Sequence, residues 1–165
     1  MSASENLSAV EGATLPHPCN AVDCAGARLF AHARSLATVV RVDGAIDAAN
    51  ANLVALAVRR ISQIPSPLIL DLSPLEFLGI AGFRELLVIH DEHRQAQLPC
   101  GVVVGSALRR LLEIFADHGL IIVDSVPEAL RLIEEGMCER RESLSALAGK
   151  SDSRPSSASS AGTGG

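Results

Sequence analysis

The stretch LILDLSPLEFLGIAGF, residues 68–83, decides the fold. Its opening, residues 68–72, is a short continuous apolar run, which is typical of a strand that is buried on both faces. Pro74 and Gly79 then indicate a loop. A helix is predicted from about Ala81, because apolar residues recur there at intervals of three and four. A buried strand that leads into a helix is the repeating unit of a parallel sheet.

The same alternation extends towards the N-terminus. Strands are predicted at residues 27–33 and 36–42, joined by a short turn as an antiparallel hairpin. Asp43-Gly44 is expected to end the second strand, and an Ala-rich helix begins near Asp47. This hairpin would place an antiparallel pair beside the parallel strands.

The alternation also continues towards the C-terminus. Residues 101–104 and 120–123 predict two more buried strands. Ser106 is expected to cap the helix between them, and Gly119 to terminate it. A capping-box pattern that starts at Ser125 predicts the beginning of the last helix.

The resulting order is β-β-α-β-α-β-α-β-α, which predicts an α/β fold. We expect a mixed sheet of four or five strands with about four helices packed against it. The domain is predicted at residues 27–135, after a flexible leader at 1–26 and before a helical extension of open register at 136–148. Residues 149–165 are rich in Ser and Gly, so we expect a disordered tail there.

Composition excludes several classes of protein. The chain has 165 residues, a formal net charge of −5 and only 2% aromatic residues. A nucleic-acid binder needs a basic face and usually stacking aromatics, so no direct nucleic-acid partner is expected. No apolar run approaches the roughly 20 residues of a membrane span, and the N-terminus does not resemble a signal peptide. We therefore predict a cytoplasmic protein without a membrane partner.

In a cytoplasmic protein the four cysteines are expected to stay thiols. Cys19 and Cys24 fall in the predicted leader without the set of four ligands that a structural zinc site needs, so no zinc site is expected there. Cys100 opens a predicted strand and is interpreted as a small buried hydrophobe.

The candidate chemical groups favour structural roles. Ligands and partners of parallel sheets usually meet the carboxyl ends of the strands, where Asp71 and Gly105-Ser106 would lie. No phosphate-binding glycine motif is present, so a turn with a helix cap is the better interpretation of Gly105-Ser106, and loop capping that of Asp71. His90 and His93 are interpreted as the rim of a helix rather than as metal ligands. No catalytic residue, metal site or cofactor is therefore predicted.

Two stretches carry a family resemblance. Residues 36–53, LATVVRVDGAIDAANANL, resemble the strand-turn-helix opening of STAS domains. Residues 71–83, DLSPLEFLGIAGF, resemble the central segment of that family, which reads D-L-S-x-[VL]-x-F-[ILM]-D-S-[SA]-G-[LIF]. A single domain without a transporter is most similar to the bacterial anti-sigma factor antagonists. The resemblance implies binding to a kinase-like anti-sigma factor, which would control the availability of a sigma factor.

The resemblance also implies where the partner binds and how the family is switched. Members are phosphorylated on the Ser of the D-S pair, which weakens the complex. Gly79 and Ile80 stand at those two positions here, so no phosphorylation is expected at Ile80. Ile80 is either an exposed contact residue or a staple on the following helix. The predicted partner-binding residues are Asp43, Asp47, Gly79, Ile80, Ala81, Gly82, Phe83 and Ser106.

Other classes of function stay open at this point. A small-molecule or nucleotide sensor could use the same carboxyl edge of the sheet. A subunit of a larger signalling assembly, or a homodimer, could form through an exposed sheet edge. An enzyme is the least supported, because the sequence offers no convergent catalytic groups.

Overall fold

The computed structural model describes residues 21–150, which fold as seven strands and four helices. The strands are β1 (Val22–Asp23), β2 (Ala27–Ala33), β3 (Thr38–Ile46), β4 (Leu68–Asp71), β5 (Leu75–Leu78), β6 (Cys100–Val103) and β7 (Ile122–Val123). The helices are α1 (Ala51–Ile61), α2 (Ile80–Gln95), α3 (Ser106–Ile114) and α4 (Val126–Lys150). The predicted alternation of strands and helices is confirmed.

The strands form one mixed sheet in the order β1-β2-β3-β4-β6-β7, and β5 also pairs with β3. β2 is antiparallel to both β1 and β3, while β4, β5, β6 and β7 join the sheet in parallel. The strand count exceeds the predicted four or five because the sequence patterns did not predict the short strands β1 and β5. β1 lies within the predicted leader, and its residues Val22–Asp23 pair with β2.

The sequence predicted that the second strand of the hairpin ends at Asp43-Gly44, and this boundary is wrong. β3 continues to Ile46, and its register with β5 shifts between Gly44 and Ala45. Gly44 has a φ of +91°, and a Cβ there would lie 2.2 Å from the carbonyl oxygen of Gly26. Glycine therefore lets the strand pass through this irregularity, where other residues would stop it.

The sheet separates two apolar clusters. The larger one packs β2, β3 and β4 against α1, α2 and α3, with Leu29, Val58 and Leu86 among its members. The smaller one packs Ile69 and Val103 of the central strands against α4. The buried strands alternate their side chains between these clusters, which explains their continuous apolar sequence.

Two helix boundaries differ from the prediction. Ser106 is the first residue of α3 rather than its cap; Gly105 occupies the cap position and makes no side-chain hydrogen bond. α3 ends at Ile114, so Gly119, with a φ of +67°, belongs to the following loop. The capping box is present: the Ser125 Oγ accepts the N–H of Glu128 at 3.3 Å.

α4 continues without a break through Gly136 to Lys150. The Glu128 carboxylate accepts the Asp124 N–H at 2.8 Å, which ties the start of this helix to the end of β7. The predicted extension at 136–148 is therefore the second half of α4. The predicted tail at 149–165 lies mostly outside the described residues.

Candidate functional site

The carboxyl edge of the sheet brings the predicted motif residues together. We use "carboxyl edge" for the turns that follow β3, β5 and β6, which contain Asp47, Gly79 and Gly105. The Gly79 N–H donates to the carbonyl oxygen of Ile46 at 2.8 Å, so the start of α2 is tied to the end of β3. A Cβ at Gly79 would lie 3.6 Å from the Asp47 Cα. These two predicted site residues are therefore close neighbours.

Ile80 lies on the outside of this edge. It is the first residue of α2, and 55% of its surface is exposed. Phe77, at 53% exposure, lies beside it, and a Cβ at Gly79 would be 3.5 Å from the Phe77 Cε1. The exposure of Ile80 favours the contact role over the staple role. We call Phe77 and Ile80 the apolar surface of the carboxyl edge.

Phe83 and Gly82 lie beneath that surface rather than on it. Phe83 is only 2% exposed, and its ring stacks on that of Phe115 with centroids 5.4 Å apart, which links α2 to α3. A Cβ at Gly82 would lie 2.5 Å from the Ile46 Cγ2, so only glycine fits without a shift. Ala81 is partly buried against the core. Within residues 80–83, Ile80 is therefore exposed, Ala81 is partly buried, and Gly82 and Phe83 are buried.

Asp47 and Asn50 organise the turn between β3 and α1. The Asp47 carboxylate accepts the N–H groups of Ala49 and Asn50, at 2.8 and 3.2 Å. The Asn50 side chain accepts the Asp47 N–H at 2.9 Å and donates to the carbonyl oxygens of Ala45 and Ala25, at 2.9 and 3.1 Å. Asn50 is 1% exposed. We call these bonds the Asp47–Asn50 hydrogen-bond network; it fixes the turn that lies beside Gly79.

Sequence reasoning missed Asn50. The available signal was an Asn three residues after Asp47, directly before the first turn of a helix, where both residues are favoured as caps. Its burial could not be read in the same way, because it depends on the carbonyl of Ala25, which lies 25 residues earlier in the chain.

The two remaining predicted site residues are Asp43 and Ser106. Asp43 is inside β3, where its carboxylate accepts the Arg41 Nε at 3.2 Å. Ser106 is exposed at the start of α3, directly after Gly105. A Cβ at Gly105 would lie 2.5 Å from the carbonyl oxygen of Leu72. Ser106 therefore stands beside the turn after β4, at the carboxyl edge, whereas Asp43 stands on the sheet.

Asp71 caps the loop that follows β4. Its Oδ1 accepts the Ser73 N–H at 3.1 Å and the Ser73 hydroxyl at 2.6 Å. The interpretation of Asp71 as a loop cap is confirmed.

The two helical histidines are buried, which corrects their predicted place on a helix rim. The His93 ring contacts the Ile89 carbonyl oxygen at 2.9 Å, and the His90 Nε2 accepts the Ile121 N–H at 3.4 Å. The loop before β7 covers this end of α2, which the periodicity of α2 alone could not show. Across residues 21–150, no cluster of three or more His, Cys, Asp or Glu could hold a metal ion.

The cysteines of the described chain are free thiols. Cys24 is buried in the core beside β1, although the sequence placed it in a flexible leader. Cys100 is buried in β6 as predicted, and burial raises the pKa of its thiol to about 12. Cys138 is exposed on α4. Cys19 lies outside the described residues. None of the helices in the described chain combines the length and apolar character that crossing a membrane requires.

Comparison with known proteins adds three findings. The family model described as STAS domain matches residues 28–129. Osmosensory protein A of Mycobacterium tuberculosis is 33% identical over 136 residues, which cover 79% of this chain and 86% of that protein. The crystal structure of an anti-sigma factor antagonist from Mycobacterium paratuberculosis superposes with a TM-score of 0.58 at 26% identity, covering 66% of this chain and 94% of that one.

A more distant structure agrees with the same fold. RsbS of Moorella thermoacetica superposes with a TM-score of 0.53 at 17% identity, covering 65% of this chain and 95% of that one. At this identity the likeness bears on the fold alone.

Proposed function

The chain belongs to the STAS domain family, and on that premise we propose that it is a non-catalytic anti-sigma factor antagonist. It would bind a kinase-like anti-sigma factor and so control the availability of a sigma factor. The observation that carries the proposal is the exposure of Ile80 at the first position of α2. The family resemblance assigns the partner-binding segment to this position, and a solved neighbour is an anti-sigma factor antagonist.

The apolar surface has the chemistry of a protein contact. Ile80 and Phe77 are each more than half exposed, while the neighbouring Gly79 N–H donates to the Ile46 carbonyl oxygen and Gly82 packs against the Ile46 side chain. An exposed apolar side chain on a rigid backbone loses little conformational entropy on binding, and burying it contributes about 1.5–3 kcal/mol. A charge at Ile80 would instead have to be desolvated in the complex.

The proposed antagonist lacks the family's phosphorylation switch at this position. Residues 76–84 read EFLGIAGFR and contain no hydroxyl group, so they cannot accept a phosphoryl group on Ser, Thr or Tyr. Elsewhere in the family, phosphate would bring about −1.5 to −2 charges to the docked surface. The complex formed by this chain would therefore persist in the presence of ATP.

The test is binding to purified kinase-like anti-sigma factors of the source organism, measured by calorimetry. Ile80→Glu should weaken the complex at least about tenfold, which corresponds to about 1.4 kcal/mol. Val88→Glu is the matched control, because Val88 is an exposed apolar residue two turns along the same helix. Equal affinity of the two variants would refute the assignment of the surface.

A second variant tests the absence of the switch. Gly79→Asp combined with Ile80→Ser restores the family's pair, and the ordinary contacts around Gly79, none closer than 3.4 Å, leave room for the larger side chain. We expect phosphate on residue 80 of this variant by mass spectrometry, with a weaker complex. Dissociation of the complex of the natural chain during incubation with ATP would overturn the proposed constitutive binding.

The input signal is a separate question. A relative that covers most of the chain is named Osmosensory protein A, so osmotic upshift is the first condition under which to compare the complex.

A further inference from the structure

A cavity lies on the opposite side of the molecule from Ile80. It is a pocket between β6, β7 and α4 that is open to solvent on one side, near the amino ends of the two strands, and has a volume of about 140 Å³. Its walls are mostly apolar, with Cys100, Ile121, Ile133 and Met137 among them. We call it the α4 cavity. Nothing in the partner-binding proposal uses it.

The α4 cavity exists because three neighbouring positions carry little or no side chain. Gly101 of β6 faces Ala129 of α4, and a Cβ at Gly101 would lie 3.7 Å from the Ala129 Cβ. Gly136 is on the same helix, and a Cβ there would meet nothing within 4 Å. Larger residues at these positions would narrow the gap between sheet and helix.

One positive charge lies at the mouth of the α4 cavity. Arg140 lines both the cavity and a wider cleft of about 540 Å³ beside it. Its Nη1 donates to the carbonyl oxygen of Gln97 at 3.3 Å, and within residues 21–150 it forms no salt bridge with a carboxylate. Arg94, which lines the same cleft, is paired with Asp91. The guanidinium of Arg140 therefore has further N–H donors that could bind an anion.

The remaining walls are compatible with an anionic ligand. Burial raises the pKa of the Cys100 thiol to about 12, so this wall is neutral and does not repel a carboxylate. His90 lines the wider cleft, and its Nε2 is occupied by the N–H of Ile121. Small-molecule sites are typically mostly apolar with a few polar groups that fix orientation, and arginine suits carboxylates because of its planar fork of donors.

We propose that the α4 cavity binds a small carboxylate with a short apolar chain. The chain lies against Gly101, Ile121 and Met137, and the carboxylate accepts hydrogen bonds from Arg140. An engineered apolar cavity of about 150 Å³ binds benzene, so a chain of about six carbons matches the available space. The site is independent of the apolar surface around Ile80.

The test compares two probes on the full chain, hexanoate and hexan-1-ol, by calorimetry and by amide shifts in NMR spectra. Only the carboxylate can form charge-assisted hydrogen bonds with the Arg140 guanidinium, so hexanoate should bind about tenfold more tightly than the alcohol. Arg140→Gln should reduce hexanoate to the affinity of hexan-1-ol. Arg141→Gln is the matched control, since the neighbouring Arg141 lines neither the cavity nor the cleft.

A second variant tests the cavity itself. Gly101→Ala places a methyl group in the void at an ordinary contact distance, so the protein should stay folded while both probes bind several-fold more weakly. Amide shifts should be confined to residues around Gly101, Ile121 and Met137. Equal affinity for the two probes, no binding of either at millimolar concentration, or equal effects of Arg140→Gln and Arg141→Gln would each overturn the proposal.

Discussion

The carboxyl edge and the α4 cavity are built in opposite ways from the same sheet. At the carboxyl edge, Gly82 and Gly105 touch their neighbours so closely that a Cβ at either would come within 2.5 Å of another atom. At the α4 cavity, Gly101 would accept a Cβ at 3.7 Å, and Gly136 would meet nothing. Glycine therefore permits close packing in one region and leaves space in the other.

The difference shows how one small domain can carry two kinds of site. A surface that receives a protein benefits from a backbone that is already rigid, because ordering it on binding would oppose association. A site for a small molecule needs space, and a void costs stability because its walls lose packing contacts. We therefore expect substitutions of the closely packed residues at the carboxyl edge, such as Gly105 and Asn50, to destabilise the fold strongly, and those at the α4 cavity to be tolerated.

The largest loss of stability is expected from substitution of Asn50. Asn50→Ala removes the side chain that bonds the Asp47 N–H and the carbonyl oxygens of Ala45 and Ala25. Because these groups are left without their partner in a buried turn, the free energy of unfolding should fall by about 3 kcal/mol. Urea denaturation measures this difference.

Asn52→Ala is the control for that measurement. Asn52 is exposed on α1, so its removal should change the free energy of unfolding by less than about 0.5 kcal/mol. If the two alanine variants were equally stable, the hydrogen bonds of the Asn50 side chain would not be what stabilises the turn between β3 and α1.

The sequence predicted the parts of this architecture that follow local rules. The apolar run at residues 68–72 predicted β4, and the apolar spacing after Ala81 predicted the start of α2, each within one or two residues. A strand that is buried on both faces gives a continuous apolar run, whereas a helix that is buried on one face gives intervals of three and four. The same rules missed β5. Its four residues, LEFL, lie between Pro74 and Gly79 and become a strand only by pairing with β3.

The candidate sites show the same limit. The motif located Ile80, but its exposure and the burial of Phe83 follow from how α2 rests on β3 and α3. The α4 cavity leaves no motif at all, since Gly101 and Arg140 are 39 positions apart and meet only through the packing of α4 on β6. Properties that depend on distant partners could not be predicted from local patterns.

Smaller changes in stability are expected when alanine replaces either of two glycines, Gly101 and Gly105, which lie on either side of Val103. A Cβ at Gly105 would lie 2.5 Å from the Leu72 carbonyl oxygen and 2.8 Å from the Ser73 Cα, both of which belong to the backbone and cannot rotate away. Gly105→Ala should therefore lower the free energy of unfolding by about 2 kcal/mol. Gly101→Ala should instead raise it by about 0.5 kcal/mol, because alanine is favoured over glycine in a strand.

Chemical denaturation of both variants in parallel provides the comparison. A loss at Gly101 as large as that at Gly105 would show that the two regions are packed alike, and the proposed ligand cavity would then have no spare volume.

The smallest effect concerns pH and the buried end of α2 next to the α4 cavity. Burial lowers the pKa of His90, Arg94 adds to this lowering, and Asp91 opposes it. The unfolded chain, with a histidine pKa of about 6.5, thus binds a proton at a higher pH than the folded chain does. Stability contributed by neutral His90 is present above about pH 6.5 and is lost as the pH falls towards the folded-state pKa.

For one proton, that loss is at most about 1.4 kcal/mol per pH unit. Thermal unfolding between pH 7.5 and 5 should therefore show a fall in stability that is smaller in His90→Gln, because glutamine does not titrate and can still accept the Ile121 N–H. NMR titration of the His90 ring supplies the direct measurement, with a midpoint expected below 6.5. A midpoint at about 6.5 would mean that water reaches the ring through the cleft, and the amino end of the sheet would then be more open than the carboxyl edge in solvent access as well as in packing.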